Sequence, residues 1–286
     1  MVVFSPINIP MGKFGFSRFF SESLDNILFF NCQNTWYVDC IEEIIEVVDQ
    51  TIGTIAPDQV VFYGASMGAY AAARIGGLYP KYPTFLFGPE LELYIDGSLS
   101  SKHATIRREH VNIREFDDLD FSNTVAFFGI YEPIDMLQYK QAKPLNFLAR
   151  IPVRSPHAVH EELYYRGLIK PLSQSRTAEE FIRNIPINFI DKNPPIHHAE
   201  FLYEQFFQTP TSFNSEVFEK IMSIGHPLAY WVGIRVLLKQ KEPNQLNRIH
   251  TKLLQYFSEK TEGFTMPPKF ETELKRVGKR LGVSLE

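Results

Sequence analysis

The run Gly64-Ala65-Ser66-Met67-Gly68 sets one serine between two glycines, each two residues away. It follows an apolar stretch at residues 60–63 and opens an alanine-rich stretch at residues 67–77. A strand, a sharp turn and a helix in that order hold a serine in a strained backbone conformation, its hydroxyl exposed at the carboxyl end of a sheet. The glycines fit because the helix must fold back onto the strand, where side chains at those two positions would collide. Alanines at positions 69, 71, 72 and 73 permit the same close approach. The backbone N–H of Met67, at the helix start, can point at an oxygen that gains negative charge. The chemistry implied is attack of a serine hydroxyl on a carbonyl carbon.

A serine hydroxyl is a poor nucleophile without a base, so the turn demands an acid and then a histidine downstream. Residues 125–128 run into Gly129-Ile130-Tyr131-Glu132-Pro133-Ile134-Asp135, which puts two carboxylates just past a strand's carboxyl end. Glu132, three residues after Gly129, is the preferred acid and Asp135 the competitor. The last apolar run, residues 148–153, is followed by Ser155-Pro156-His157-Ala158-Val159-His160. His157 comes first and sits in the turn, so it is the preferred base. His160, at the start of a helical pattern, is the alternative.

These side chains need a sheet to bring them together. Short apolar runs at residues 2–4, 26–30, 60–63, 84–87, 125–128 and 148–153 are separated by helical patterns, among them residues 40–52 and 67–77. Strands apolar throughout and alternating with helices predict an α/β fold, a mostly parallel sheet with helices on both faces. The polar segment 89–123 reads equally as a lid or substrate loop and as a solvated surface insertion. Beyond residue 172 strand signals fade. Amphipathic patterns at 178–185, 199–207, 215–224, 228–238, 244–257 and 270–281 predict an all-helical C-terminal region, its helices of a size found in degenerate repeats. The expected organisation is a catalytic domain of residues 1–172 and a helical domain of residues 173–286.

Composition excludes several classes. The 286 residues carry 29 Lys+Arg against 33 Asp+Glu, with 44% hydrophobic residues. That is too apolar for a disordered chain and too weakly charged for a strongly basic nucleic-acid binder. Two cysteines, Cys32 and Cys40, cannot build a disulfide framework. The N-terminus lacks the charged and apolar regions of a signal peptide. The longest uncharged apolar stretch, residues 60–73, ends at Arg74 and is shorter than a bilayer span, so no membrane span is expected and a cytoplasmic location is the default. His197-His198 with Glu200 could suggest a metal, but adjacent histidines point to different faces of a helix. No dinucleotide or Gly-Lys-Ser/Thr phosphate motif is present, and no cofactor is expected. The basic residues Lys269, Lys275, Arg276, Lys279 and Arg280 are offset by Glu271 and Glu273 and read as a solvated face. Trp36, Tyr37 and the aromatic run from Phe14 to Phe20 read as core or rim packing, or as a pocket lining beside Ser66.

The turn at 64–68, the acid loop at 129–135 and the histidine loop at 155–160 resemble, in their order, the α/β-hydrolase superfamily over roughly residues 1–172. The resemblance implies a serine esterase-like mechanism. Ser66 would attack, His157 would act as base and then acid, and Glu132 or Asp135 would orient the imidazole. It also implies a second oxyanion donor on the loop after an early strand. Pro6 has no N–H, so Ile7 is the expected backbone donor. The sequence departs from the family in beginning almost directly on the strand that usually lies third, and in lacking the His-Gly oxyanion signature. Compact hydrolases of this kind look similar to bacterial proteins that deacylate glycans and other surface polymers or transfer acyl groups onto them. The implied substrate is a small-molecule or glycan ester. A different class of function is a silent hydrolase-fold scaffold whose helical region binds a protein partner.

Overall fold

Six short apolar runs pair side by side in the computed structural model. It describes residues 1–20, 26–57, 59–105, 113–168, 175, 177–208, 215–240, 244–261 and 264–285. The strands are β1 (Val2–Phe4), β2 (Leu28–Phe30), β3 (Phe62–Ala65), β4 (Thr84–Phe87), β5 (Thr124–Gly129) and β6 (Ala149–Val153). Every neighbouring pair is parallel, in the order β2-β1-β3-β4-β5-β6. All residues of β3, β4 and β5 are buried, as expected of parallel strands covered on both faces.

Register explains which residues share a face. Tyr63 aligns with Phe85, and Phe87 with Phe127. Their rings meet a layer formed by α6 (Val159–Tyr165) and α7 (Ala178–Arg183). Phe181 of α7 stacks on Phe85 with ring centroids 3.9 Å apart, and His160 of α6 stands on Tyr63 and Phe87. On the opposite face Phe62 stacks on Tyr79, and Phe128 meets Tyr139 of α5 (Pro133–Gln141) edge-on. Helix α3 (Met67–Gly76) follows β3 directly and is buried at every position but Arg74, the pattern of a helix enclosed on all sides. Among the described residues the first part also contains the single turn α1 (Ser17–Phe20), α2 (Ile41–Ile55), α4 (Leu99–His103) and a 3-10 turn at Ile113–Phe116.

The strand order places the site. The chain leaves β1 towards β2 on one side, then returns to β3 on the other. Connections after β1 and after β3 therefore diverge, opening a crevice at the carboxyl ends of these two strands. Ser5 follows β1 there, and Ser66 follows β3.

The C-terminal region is helical: α8 (Ile196–Tyr203), α9 (Ser215–Ile224), α10 (Pro227–Gln240), α11 (Asn244–Glu259) and α12 (Pro268–Leu281). It leans on the loops at the sheet's carboxyl edge. Tyr131 lies edge-on to Phe257 and Phe270, at 5.8 and 5.4 Å, and Trp231 packs on Phe270 at 4.7 Å. The boundary expected at residue 172 falls outside the described residues. Apolar packing runs across it, one buried cluster joining Val2 of β1 to Val277 of α12. Among the described residues no helix is long and apolar enough to cross a membrane.

Candidate active site

The turn between β3 and α3 is built as its residue types require. A Cβ on Gly64 would lie 2.1 Å from the carbonyl oxygen of Gly68, and one on Gly68 would lie 2.2 Å from that of Phe4. Both neighbours are backbone and cannot swing aside, so only glycine fits. Ser66 sits between them at φ 53° and ψ −121°, a region that non-glycine residues rarely occupy. Its N–H donates to the Phe87 carbonyl at 2.8 Å, and its own carbonyl accepts from Ala69 at 2.9 Å. These bonds fix the strained turn from both sides, leaving the hydroxyl free to face the crevice.

His157 reaches Ser66 from the loop after β6. Its Nε2 lies 2.9 Å from Ser66 Oγ, and its Nδ1 lies 2.7 Å from Asp135 Oδ1. Asp135 is fully buried in the first turn of α5, and its second oxygen accepts the Gly129 N–H at 3.0 Å. Of the two carboxylates after β5, the structure brings Asp135 rather than the preferred Glu132 to the imidazole. Glu132 stands just before α5 in an extended conformation, φ −118° and ψ 117°, which turns its side chain away from the helix. There it accepts from Arg235 Nη1 and Nη2 at 3.0 and 2.7 Å and from Trp231 Nε1 at 3.1 Å. His160, the alternative histidine, lies among aromatic rings, its centroid 4.2 Å from that of Phe16. Burial pushes its pKa down to about 3.

Carboxylates surround His157. Burial of the imidazole favours its neutral form, but the adjoining Asp135 carboxylate outweighs this, with Glu90 and Glu132 adding to the pull, and the pKa is pushed up to about 9. Glu90 follows β4 and is itself buried, which raises its pKa against the opposing charge of His157. Its two oxygens accept the N–H groups of Leu99 and Ser100, both at 2.9 Å, so it also anchors the start of α4. For Glu132 burial raises the pKa, but the Arg235 guanidinium overrides it and holds the carboxyl below its ordinary range.

A cavity of about 480 Å³ opens beside Ser66 and His157. One wall is the loop after β1, with Ile7, Asn8 and Ile9. Phe16, Phe87 and Leu99 add apolar surface, and Trp231, Arg235 and Lys269 form a wall from the helical region. Leu99 belongs to the 89–123 segment, so part of that segment lines the cavity, whereas its residues 106–112 lie outside the described residues. The loop after β1 is braced at several points. Asn31 Nδ2 donates to the carbonyls of Ile9, Pro10 and Lys13, Asn8 N–H donates to Asn34 Oδ1 at 2.9 Å, and Tyr37 OH donates to the Ser5 carbonyl at 3.0 Å. Ile7, an expected oxyanion donor, is thus on the cavity wall. Met67, the other, is the first residue of α3, where a helix leaves its N–H without an intrahelical acceptor.

A serine hydroxyl bonded to an imidazole whose other nitrogen is held by a carboxylate can pass its proton to that imidazole as it attacks a carbonyl carbon. Among the described residues no group of His, Cys, Asp or Glu is arranged to hold a metal ion. His197 is fully exposed beside Glu200 at 3.5 Å. Trp36 and Tyr37 are core residues, fully buried, whereas Phe16 lines the cavity. Sequence reasoning missed Glu90, Trp231 and Arg235. Glu90 had a signal, its place just past the carboxyl end of β4. The other two lie on a helix whose sequence carries no mark of a site.

The chain matches no protein-family model and no curated protein. Among solved structures it is similar to the capsule O-acetyltransferase of Neisseria meningitidis serogroup A. One structure of that protein, in complex with caged gadolinium, aligns with TM-score 0.44 and 14% identity over 59% of this chain and 86% of the other. A second aligns with TM-score 0.43 and 14% identity over the same shares. Likeness of this degree carries no assignment of activity.

Proposed function

We propose that this chain is a serine acyl-transfer enzyme of α/β-hydrolase type that acts on a carboxylic ester. Ser66 Oγ attacks the ester carbonyl while His157 Nε2 takes the hydroxyl proton. Asp135 holds the imidazole by Nδ1 and stabilises it when charged. The N–H groups of Met67 and Ile7 receive the oxygen that becomes negative. Collapse of the tetrahedral intermediate breaks the ester bond, His157 returns the proton to the leaving alcohol, and an acyl-enzyme remains on Ser66. Water or a second hydroxyl, activated by His157, then attacks the acyl carbon and releases Ser66.

The observation that carries this reading is the unbroken hydrogen-bonded line from Ser66 Oγ through His157 to Asp135, at 2.9 and 2.7 Å, on a turn that only strain and two glycines can form. The cavity supports a division of the substrate. Ile7, Ile9, Phe16, Phe87 and Leu99 suit a small apolar acyl group, whereas Arg235, Glu161 and Lys269 suit a hydroxyl-rich alcohol such as a sugar.

The test is labelling with a fluorophosphonate probe, which reacts with activated serines. Wild type is expected to label, and Ser66→Ala and His157→Ala are expected not to. Folded wild type that stays unlabelled across pH 6 to 10 would overturn the reading. Adding a sugar acceptor to the reaction with an activated acetate ester separates the two outcomes, since transfer yields an acetylated sugar and hydrolysis yields acetate alone.

A further inference from the structure

Glu132 sits three residues before Asp135, at the hinge between β5 and α5, and has no hydrogen bond of its own to the imidazole among those described. Its carboxylate is nonetheless 7% exposed and held by three N–H groups, all from α10. A buried carboxylate gripped by a two-pronged guanidinium is a fixed point, because losing either partner strands a charge out of water. The same short loop is tied elsewhere by backbone bonds, Ile130 N–H to the Val153 carbonyl, Tyr131 N–H to that of Ser155 and Glu132 N–H to that of Gly129, and by the Gly129 N–H that Asp135 Oδ2 accepts. Those bonds set the path of the chain. The grip on Glu132 adds a tie from α10 at the residue where α5 begins, and Asp135 lies in its first turn.

We propose that Arg235 and Trp231 are positioning residues for the Asp135–His157 pair, acting through Glu132, so that the helical region completes the site instead of only covering it. Arg235 stacks over the Trp231 ring at 4.9 Å, and Trp231 packs on Phe270, so the clamp is anchored in the core of the helical region. The charged and titratable groups about His157 are Asp135 and Glu132 at the start of α5, Glu90 after β4, Arg235 on α10, and His160, Glu161 and Lys269 around the cavity. Among the described residues, the Glu132–Arg235 pair is what links the helical region to the acid loop by charge.

The inference rests on the proposed serine chemistry for its rate measurement alone, so the experiment has two readouts. The first is the rate of fluorophosphonate labelling against pH for Arg235→Gln, Arg235→Lys, Trp231→Phe and Glu132→Gln. The second is the proton NMR signal of the His157 Nδ1–H bonded to Asp135, which needs no activity. Arg235→Gln is expected to slow labelling about 10²-fold, the effect of a displacement near 1 Å. Trp231→Phe keeps the ring packing and loses one donor, and is expected to slow labelling about 10-fold. Arg235→Lys keeps the charge without the fork and is expected to fall between wild type and Arg235→Gln. The labelling midpoint is expected to rise in Arg235→Gln, where Glu132 is left unneutralised, and to fall in Glu132→Gln. A purely structural contact would not move the midpoint in opposite directions. The Nδ1–H signal is expected to broaden or shift in both Arg235→Gln and Trp231→Phe. Folded variants with wild-type labelling, midpoint and signal overturn the clamp. An unlabelled wild type whose Nδ1–H signal still responds to Arg235→Gln upholds the clamp and overturns the serine chemistry instead.

Discussion

Asp135 uses both carboxylate oxygens on partners of different kinds: Oδ2 accepts the Gly129 N–H at 3.0 Å and Oδ1 lies 2.7 Å from His157 Nδ1. The end of β5 thereby fixes the angle at which the acid meets the imidazole. An amide in its place cannot serve both partners, because one contact would set donor against donor or force the histidine into its other tautomer. Asp135→Asn is therefore expected to lower kcat on an activated ester by about 10⁴-fold. Glu132→Gln keeps acceptors for part of the Arg235 grip and is expected to lower it far less. Steady-state rates of the two variants side by side check this, and equal losses would reject the assignment of Asp135.

The pH profile follows from the charge around His157. The rate needs a neutral imidazole, so kcat/KM is expected to rise with pH and reach half its plateau near pH 9. Glu90→Gln removes one of the carboxylates that raise this pKa, and its midpoint is expected lower. Stability moves the other way. The folded pKa is above the unfolded value of about 6.5, so this group's stabilisation is complete below about pH 6.5 and is lost as pH rises through about 9. Urea midpoints at pH 6 and pH 10 are expected to fall between the two for wild type, and to fall less for His157→Gln.

Strain at Ser66 gives a stability signature independent of turnover. Ser66→Gly relieves the positive φ and is expected to stabilise the protein by about 1 kcal/mol or more. Ser66→Ala keeps the Cβ and is expected to unfold near the wild-type temperature. Gly64→Ala and Gly68→Ala push a Cβ into backbone oxygens and are expected to cost at least about 1–3 kcal/mol. Thermal unfolding of the four variants ranks them, and a destabilised Ser66→Gly would argue against stored strain.

Removing residues 173–286 uncovers Tyr131, strands the Glu132 carboxylate and strips Phe181 from the sheet face. The shortened chain is expected to be insoluble or to lack a cooperative unfolding transition. A soluble, cooperatively folding fragment would show that residues 1–172 form a self-sufficient domain.

What the sequence made legible was local. The serine turn announces itself because two glycines, one serine, a strand and a helix all fall within a short stretch, each required by the same steric problem. The parallel sheet was legible because strands buried on both faces are apolar at successive positions. The choice between Glu132 and Asp135 was not, since both follow one strand and the deciding partner, Arg235, is 103 residues from Glu132. A local clue existed all the same. Pro133 occupies the first helical position, which leaves Glu132 outside the helix and Asp135 within its first turn. The loop after β1, expected to supply the second oxyanion donor, was read by analogy alone. Its shape depends on Asn31, Asn34 and Tyr37, whose side-chain bonds to it cross the intervening β2 and have no periodic signature.

The cavity draws its walls from opposite ends of the chain, Ile7 near the start and Lys269 near the finish. The enclosure around Ser66 therefore exists only while the sheet and the helical region are packed together. Loosening α12 alone would open one wall and leave the strained turn untouched, so a serine-directed reagent that gains access there would report local opening of the helices and not unfolding of the sheet.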